Sequence, residues 1–97
     1  MKTIADLKRR VVLGTWLKLD EYSIRGAAAS HKYMNVPRKV VVCQTNSFAC
    51  VPVDDPRFPD PQPSYCDWPK KAEFVPDADG GGFSVNHGDI HLHYRIA

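Results

Sequence analysis

The residue types with the most chemical options in this chain are histidine and cysteine, and three of the four histidines lie near one another in sequence. His91 and His93 are two residues apart on one face of a predicted strand, and His87 lies in the adjoining turn. A zinc ion needs three or four ligands that converge at about 2 Å, and a His-x-His pair supplies only two. We therefore interpret the histidines as an exposed polar face and predict no metal site.

The chain has three cysteines, which cannot all pair within one monomer, and none of them belongs to a Cys-x-x-Cys motif. A two-residue hairpin turn at Asn46-Ser47 would place Cys43 opposite Cys50. The alternative, which we favour, is that each of these two cysteines is a small buried apolar side chain. Reduced thiols are typical of a cytoplasmic protein, and we predict that location.

The sequence contains none of the catalytic motifs that could be expected from its polar residues. Serine, histidine and aspartate are present, but no Gly-x-Ser-x-Gly elbow surrounds a serine. The glycine run 80–82 is not followed by the lysine of a phosphate-binding loop. We therefore predict that the chain is not an enzyme and binds no obligatory cofactor.

Basic side chains interleaved with aromatic ones can hold single-stranded nucleic acid through phosphate pairing and base stacking. The net charge is only +2, from 13 Lys and Arg against 11 Asp and Glu, which leaves little surplus for binding phosphates. Nucleic-acid binding is therefore the alternative to protein binding. Its candidate residues are Lys8, Arg9, Arg10, Lys70 and Lys71.

Residues 1–13 are predicted to form a helix, because apolar residues recur at helical spacing and Thr3 with Asp6 resembles a capping box. Gly14 is expected to end it. Residues 15–19 are predicted to form a strand, with Leu17 and Leu19 on one face and Trp16 and Lys18 on the other.

The rest of the chain is dominated by strand patterns. Residues 38–53 predict a hairpin inside a sheet, and residues 90–96 alternate strictly between apolar and polar. Trp68, beside Pro69, is predicted to be a largely buried corner of the core. Shorter strands are expected at 64–68, 73–75 and 83–85, a helical turn at 69–72, and long loops at 22–35 and 54–63.

The length of 97 residues and the hydrophobic share of 43% predict a single domain, 1–97, with one modest core. The fold class is mainly β with one N-terminal α-helix, arranged as a small curved antiparallel sheet. An SH3-like barrel or a rolled sheet with one helix across its end is the leading architecture, and a flatter sheet backed by the helix is the alternative. No apolar run approaches the roughly 20 residues of a membrane span.

Several stretches resemble small proteins encoded by bacteriophages and prophages. They are residues 3–10, Gly14-Thr15, the Val-rich strand ending in Gln44-Thr45-Asn46-Ser47, and Asp67-Trp68-Pro69-Lys70-Lys71-Ala72-Glu73-Phe74. Phe83 and the closing Leu92-His93-Tyr94-Arg95 fit the same pattern. The resemblance implies an accessory phage protein. Phage proteins of this size often bind and inhibit a host protein, anti-CRISPR proteins among them.

The predicted function is stoichiometric binding of a host or phage protein. The long loops carry apolar side chains that a compact core would not require, and such groups can form the apolar centre of an interface. Two arginines in the same loops could anchor its polar rim. The predicted contact residues are Tyr22, Arg25, Tyr33, Met34, Arg57 and Phe58.

Overall fold

One helix followed by eight strands makes up the described residues, 1–29, 34–52 and 63–96, of the computed structural model. The helix α1 spans Ile4–Arg10. The strands are β1 (Trp16–Ile24), β2 (Ala27–Ala28), β3 (Arg38–Cys43), β4 (Ser47–Pro52), β5 (Ser64–Asp67), β6 (Phe74–Pro76), β7 (Gly82–His87) and β8 (Ile90–Ile96). The predicted class, mainly β with one N-terminal helix, is confirmed.

The strands form one sheet in the order β5-β4-β3-β1-β8-β7-β6, with β2 paired to β1 outside this path. Neighbouring strands are antiparallel, and one isolated parallel bridge joins Leu19 to Met34. The sheet is not closed, so the predicted antiparallel sheet is confirmed and the SH3-like barrel is wrong. Closure would require β5 to pair with β6, which has only three residues and ends in a proline that cannot donate a hydrogen bond.

Helix α1 begins as predicted and ends earlier than predicted. The Thr3 side chain accepts a hydrogen bond from the Asp6 N–H, and the Asp6 carboxylate accepts one from the Thr3 N–H, which completes the capping box. The helix ends at Arg10 and not at residue 13. The Thr15 hydroxyl donates to the Arg10 carbonyl and accepts from the Val12 N–H, so this side chain satisfies backbone groups that would otherwise continue the helix.

The hairpin β3–β4 lies inside the sheet as expected, but its predicted register is wrong. Cys43 pairs with Phe48 and not with Cys50, because the two-residue turn consists of Thr45 and Asn46 and not of Asn46 and Ser47. Its closing hydrogen bond runs from the Gln44 N–H to the Ser47 carbonyl. A bulge at Val41 adds one residue to β3 and shifts the pairing of the two strands, so that Val40 pairs with Cys50.

The predicted loop 22–35 is replaced over its first part by strand. β1 continues to Ile24 because a bulge between Leu19 and Glu21 shifts its alternation by one residue, which turns Tyr22 towards the core. Arg25 and Gly26 then form a two-residue turn with φ angles of 54° and 79°, the geometry of a tight hairpin. The predicted loop 54–63 lies outside the described residues except for Pro63.

The core lies between α1 and one face of the sheet, which we call the inner face. Leu7 and Val11 of the helix region are fully buried against strand residues. The phenyl ring of Phe83 stacks on Tyr94 at 5.2 Å, and Arg38 is buried with its guanidinium 5.9 Å from the Tyr94 ring. The remaining buried core residues are Leu17, Leu19, Val40, Phe48 and Cys50.

Trp68 anchors a corner of the molecule, and its side chain is partly buried against the core. Its ring lies 4.7 Å from that of Phe48, and its indole N–H donates to the Gln44 carbonyl at 2.8 Å. Pro69 beside it is buried. A hydrogen-bonded turn follows, in which the Glu73 N–H donates to the Lys70 carbonyl.

Candidate functional site

The face of the sheet opposite α1, which we call the outer face, carries two different kinds of surface side by side. Strands β8, β7 and the second half of β1 contribute polar and charged side chains to it. The start of β1 and strands β3 to β5 contribute side chains that are mostly apolar. The order of the strands in the sheet, with β1 in the middle, brings these two halves into contact.

The apolar half contains large side chains that are exposed to solvent. Leu13 is 66% exposed, Val12 46%, and both Trp16 and Val41 38%. The Gly14 N–H donates to the Val40 carbonyl and the Val40 N–H donates to the Thr15 carbonyl, so the segment before β1 runs alongside β3 on its β1 side. We call this surface, formed by Val12, Leu13, Trp16 and Val41, the Trp16 patch.

Two lysines lie next to Trp16 in the Trp16 patch. Lys39 is its cross-strand partner on β3, and Lys18 follows it two residues later on the same face of β1. Both lysines are exposed, and neither forms an ion pair within the described ranges. Arg95, opposite Lys18, differs because its guanidinium lies 3.8 Å from Asp20 and 3.6 Å from Asp79. Among the described residues, the patch therefore has an aromatic ring flanked by two positive charges that have no ion-pair partner.

The polar half contains a histidine held between two carboxylates. His93 Nδ1 lies 2.5 Å from Asp20 Oδ1, and its Nε2 lies 2.8 Å from Asp77 Oδ2. The bulge in β1 turns Asp20 towards this face, and Asp77 follows β6. We call these three residues the His93 clamp. It connects β8 to both β1 and the turn between β6 and β7.

The protonation of His93 follows from its surroundings. Burial lowers the pKa of the imidazole, but hydrogen bonds to Asp20 and Asp77 outweigh this effect and raise the pKa above its ordinary value. A neutral imidazole has one N–H and can donate to only one of the two carboxylates. The clamp therefore favours the imidazolium form, which donates to both. The prediction that His93 belongs to a merely exposed polar face is wrong, because its side chain is 13% exposed.

The three histidines near the C-terminal end do not converge. His87 lies on the inner side of β7 and contacts Glu73, whereas His91 and His93 lie on the outer face. His91 has its own partners, Asn86 Oδ1 at 2.6 Å and Glu21 at 3.5 Å. Within residues 1–29, 34–52 and 63–96, no three His, Cys, Asp or Glu side chains are placed to hold a metal ion.

The thiols of Cys50 and Cys66 are held in their protonated form by their surroundings. Burial raises the pKa of Cys50 to about 12, and the nearby Arg38 opposes this only in part. Burial likewise raises the pKa of Cys66, and that of Tyr94 to about 12. Cys43 is exposed, with its sulfur 3.7 Å from the Val11 carbonyl oxygen. Of the two open alternatives for Cys43 and Cys50, the buried apolar role applies to Cys50 alone.

The residues predicted to contact a protein partner are only partly accessible. Tyr22 and Met34 are half-buried against the core and line one shallow cleft with Ala28. Arg25 is exposed at the β1–β2 turn, and its guanidinium lies 3.4 Å from Asp89. Tyr33, Arg57 and Phe58 lie outside the described residues. The structure thus places two of the six together and leaves a third at a separate turn.

The residues predicted for nucleic-acid binding do not form one free basic surface. Lys8 donates to the Thr45 carbonyl at 3.2 Å, and its ammonium lies 5.7 Å from the centre of the Trp68 ring. Arg9 pairs with Asp6, and Arg10 donates to the Gly80 carbonyl. Lys70 and Lys71 are exposed, and Lys71 lines a cleft with Lys2 and Phe74.

Comparison of the chain with models of known protein families, with characterised proteins and with solved structures finds no match. The function is therefore inferred from the two halves of the outer face and the residues on them. The described part of the chain contains no helix with the length and apolar character that crossing a bilayer would require.

Sequence reasoning missed the Trp16 patch because residues 12 and 13 were assigned to the helix. The signal was available in Thr15, a residue whose hydroxyl can bond to nearby backbone groups and end a helix. It also missed Asp20 as a partner of His93. The signal there was the change of apolar phase from Leu17 and Leu19 to Tyr22, which indicates a bulge between them.

Proposed function

We propose that this chain is a stoichiometric protein-binding module and that the Trp16 patch is its contact surface. The observation that carries the proposal is the exposure of four large apolar side chains, Trp16 and Val41 on the sheet and Val12 and Leu13 in the segment that leads into β1. Contiguous exposed apolar groups are typical of interaction sites, and Trp is enriched among the residues that dominate binding energy. The patch also has a polar rim in Lys18 and Lys39, the arrangement found in protein interfaces.

The resemblance to small phage proteins supports a host or phage protein as the partner. In this proposal the protein acts in the cytoplasm of an infected bacterium and inhibits a host factor, as anti-defence proteins do. No catalytic step or cofactor is part of the proposed function. The competing class is nucleic-acid binding, which would use Lys8, Arg9, Arg10, Lys70 and Lys71.

A capture experiment with matched variants tests the proposal. The wild-type protein, the double variant Leu13→Ser/Trp16→Ser and the control Val75→Ser are immobilised and exposed to bacterial lysate, with and without nuclease. Val75 is a suitable control because it is 49% exposed on the outer face but lies on β6, away from the patch. A captured protein is then purified and its stoichiometry with each variant is measured by calorimetry.

The proposal predicts one protein that binds the wild type and Val75→Ser one-to-one and survives nuclease and moderate salt. It predicts that Leu13→Ser/Trp16→Ser loses this binding while its circular dichroism is unchanged. Equal binding by all three variants would exclude the Trp16 patch as the contact surface. Loss of binding after nuclease, with a steep salt dependence, would favour nucleic acid.

A further inference from the structure

We propose that the Trp16 patch is built for an acidic protein segment, in which a large apolar side chain packs on Trp16 between carboxylates that pair with Lys18 and Lys39. This inference rests on the proposed function and specifies the chemistry of the partner. It is carried by the placement of the two lysines relative to the ring.

The geometry places one positive charge on each of two sides of Trp16. Lys39 lies directly across the strand pair, and opposite residues of an antiparallel pair have Cβ atoms about 5 Å apart. Lys18 lies two residues further along β1, about 7 Å away at the rise of an extended strand. A segment that presents one apolar side chain and two carboxylates, one displaced along β1 and one displaced across towards β3, matches this arrangement.

The charges of the two lysines are available to a partner. Arg95, which lies opposite Lys18 on β8, already has Asp20 and Asp79 as acceptors. Lys18 and Lys39 have no carboxylate within ion-pair distance in the described ranges. Complementary charges at the rim of an apolar contact steer association and select among partners.

The aliphatic side chains around Trp16 favour a protein segment over nucleic acid. A base can stack on an indole ring, but Val12, Leu13 and Val41 offer no second aromatic surface beside it. Two free lysines neutralise only about two phosphates, which gives weak binding at physiological salt. An apolar side chain flanked by carboxylates uses the aliphatic surface and both charges.

Three defined probes test the inference by NMR. They are a short flexible peptide composed of glutamates and leucines around one phenylalanine, without strict alternation, its counterpart with lysine in place of every glutamate, and oligothymidylate. The indole N–H signal of Trp16 reports binding at the patch. That of Trp68 is an internal control, because this N–H donates to the Gln44 carbonyl at a different site.

The acidic peptide is expected to shift the Trp16 signal and leave that of Trp68 in place, and the other two probes are expected to shift neither. The double variant Lys18→Glu/Lys39→Glu should weaken binding of the acidic peptide by about tenfold or more, because two attractions become repulsions. The control Lys70→Glu/Lys71→Glu changes the net charge equally and should alter binding by less than about twofold, since its charges are not at the patch.

Equal or tighter binding of the lysine peptide, or no shift with any peptide, would overturn the inference, and a shift with oligothymidylate alone would move the site to nucleic acid. These outcomes are separable from failure of the proposed function. If the captured partner is lost with Leu13→Ser/Trp16→Ser but retained with Lys18→Glu/Lys39→Glu, the module and its surface stand and the acidic partner does not.

Discussion

His93 is the residue whose chemistry depends most clearly on its neighbours. Both of its ring nitrogens face carboxylates, with Asp20 on one side and Asp77 on the other. The wider surroundings add Glu21 and Ser84 on the flanking strands and Arg95 beside Asp20. Only the imidazolium can donate to both carboxylates, so the charge on this ring and the closure of the clamp are linked.

We predict that the stability of the protein falls as the pH rises through the raised pKa of His93. The imidazole of the unfolded chain has a pKa of about 6.5. The clamp's contribution to the free energy of unfolding is therefore complete below that pH and is lost above the raised pKa of the folded state. Each unit between the two pKa values contributes about 1.4 kcal/mol. Urea unfolding of the wild type and of His93→Gln across this range should show a stability difference that is largest at low pH.

His91→Gln is the matched control, because this ring lies on the same face and strand but is more exposed, at 37% against 13%. Its pH dependence of unfolding should follow that of the wild type. A wild-type stability that is flat across the range, or a His93→Gln curve parallel to it, would contradict the role of the clamp.

The sequence could show that His91 and His93 share a face, because strand alternation determines it. It could not show that one ring is held between carboxylates, since Asp20 and Asp77 are 73 and 16 residues away from His93 in sequence. The position of Asp20 depends on a bulge. A bulge adds one residue and changes the face of every residue after it.

At the scale of elements, the close approach of β7 to β8 depends on a glycine. A Cβ atom added at Gly82 would overlap the carbonyl oxygen of Tyr94 and lie 2.9 Å from Asp77 Oδ2. We predict that Gly82→Ala destabilises the protein by about 1–3 kcal/mol, because the backbone of both strands must shift. Urea unfolding at fixed pH measures the change.

The adjacent Gly81 provides the control. An added Cβ there would lie 3.2 Å from Arg95 Nη1, the end of a flexible and half-exposed side chain that can move away. Gly81→Ala should therefore change the free energy of unfolding by less than about 0.5 kcal/mol. Equal effects of the two substitutions would show that the β7–β8 spacing is not set by Gly82.

Element types were easier to predict than element boundaries. Apolar periodicity and the capping box identified α1, and alternation identified β8 over all of its residues. The hairpin β3–β4 was identified with the wrong register, because its two-residue turn is Thr45-Asn46 and not Asn46-Ser47, and the bulge at Val41 then shifts the pairing once more. Bulges leave little trace in the identity of the bulged residue, so register was the least predictable feature.

For the whole molecule, β1 joins two groups of strands that are each continuous in sequence. β3, β4 and β5 lie on one side of it, and β8, β7 and β6 lie on the other. Core residues from both groups, such as Phe48 and Phe83, belong to one buried cluster with Leu7. This arrangement supports the prediction of a single domain.

We predict that the two groups unfold together. Far-ultraviolet circular dichroism and tryptophan fluorescence, recorded on the same urea series, should give coincident transitions, as expected when one core holds the chain together. The slope should be about 1–3 kcal/mol/M, the range for a small domain. Two separated transitions would instead indicate that the groups on either side of β1 are independent units.

The central position of β1 has a consequence for how the protein is made. β1 precedes the other described strands in the chain, and its most extensive partner is β8, the last of them, through pairs that run from Leu17 with Ile96 to Ile24 with Ile90. Its contact with β3 is limited to two pairs, Trp16 with Lys39 and Leu17 with Arg38. During translation, one edge of β1 therefore stays unpaired until β8 leaves the ribosome. The sheet is completed only after nearly all of its strands have been translated, and not progressively during translation.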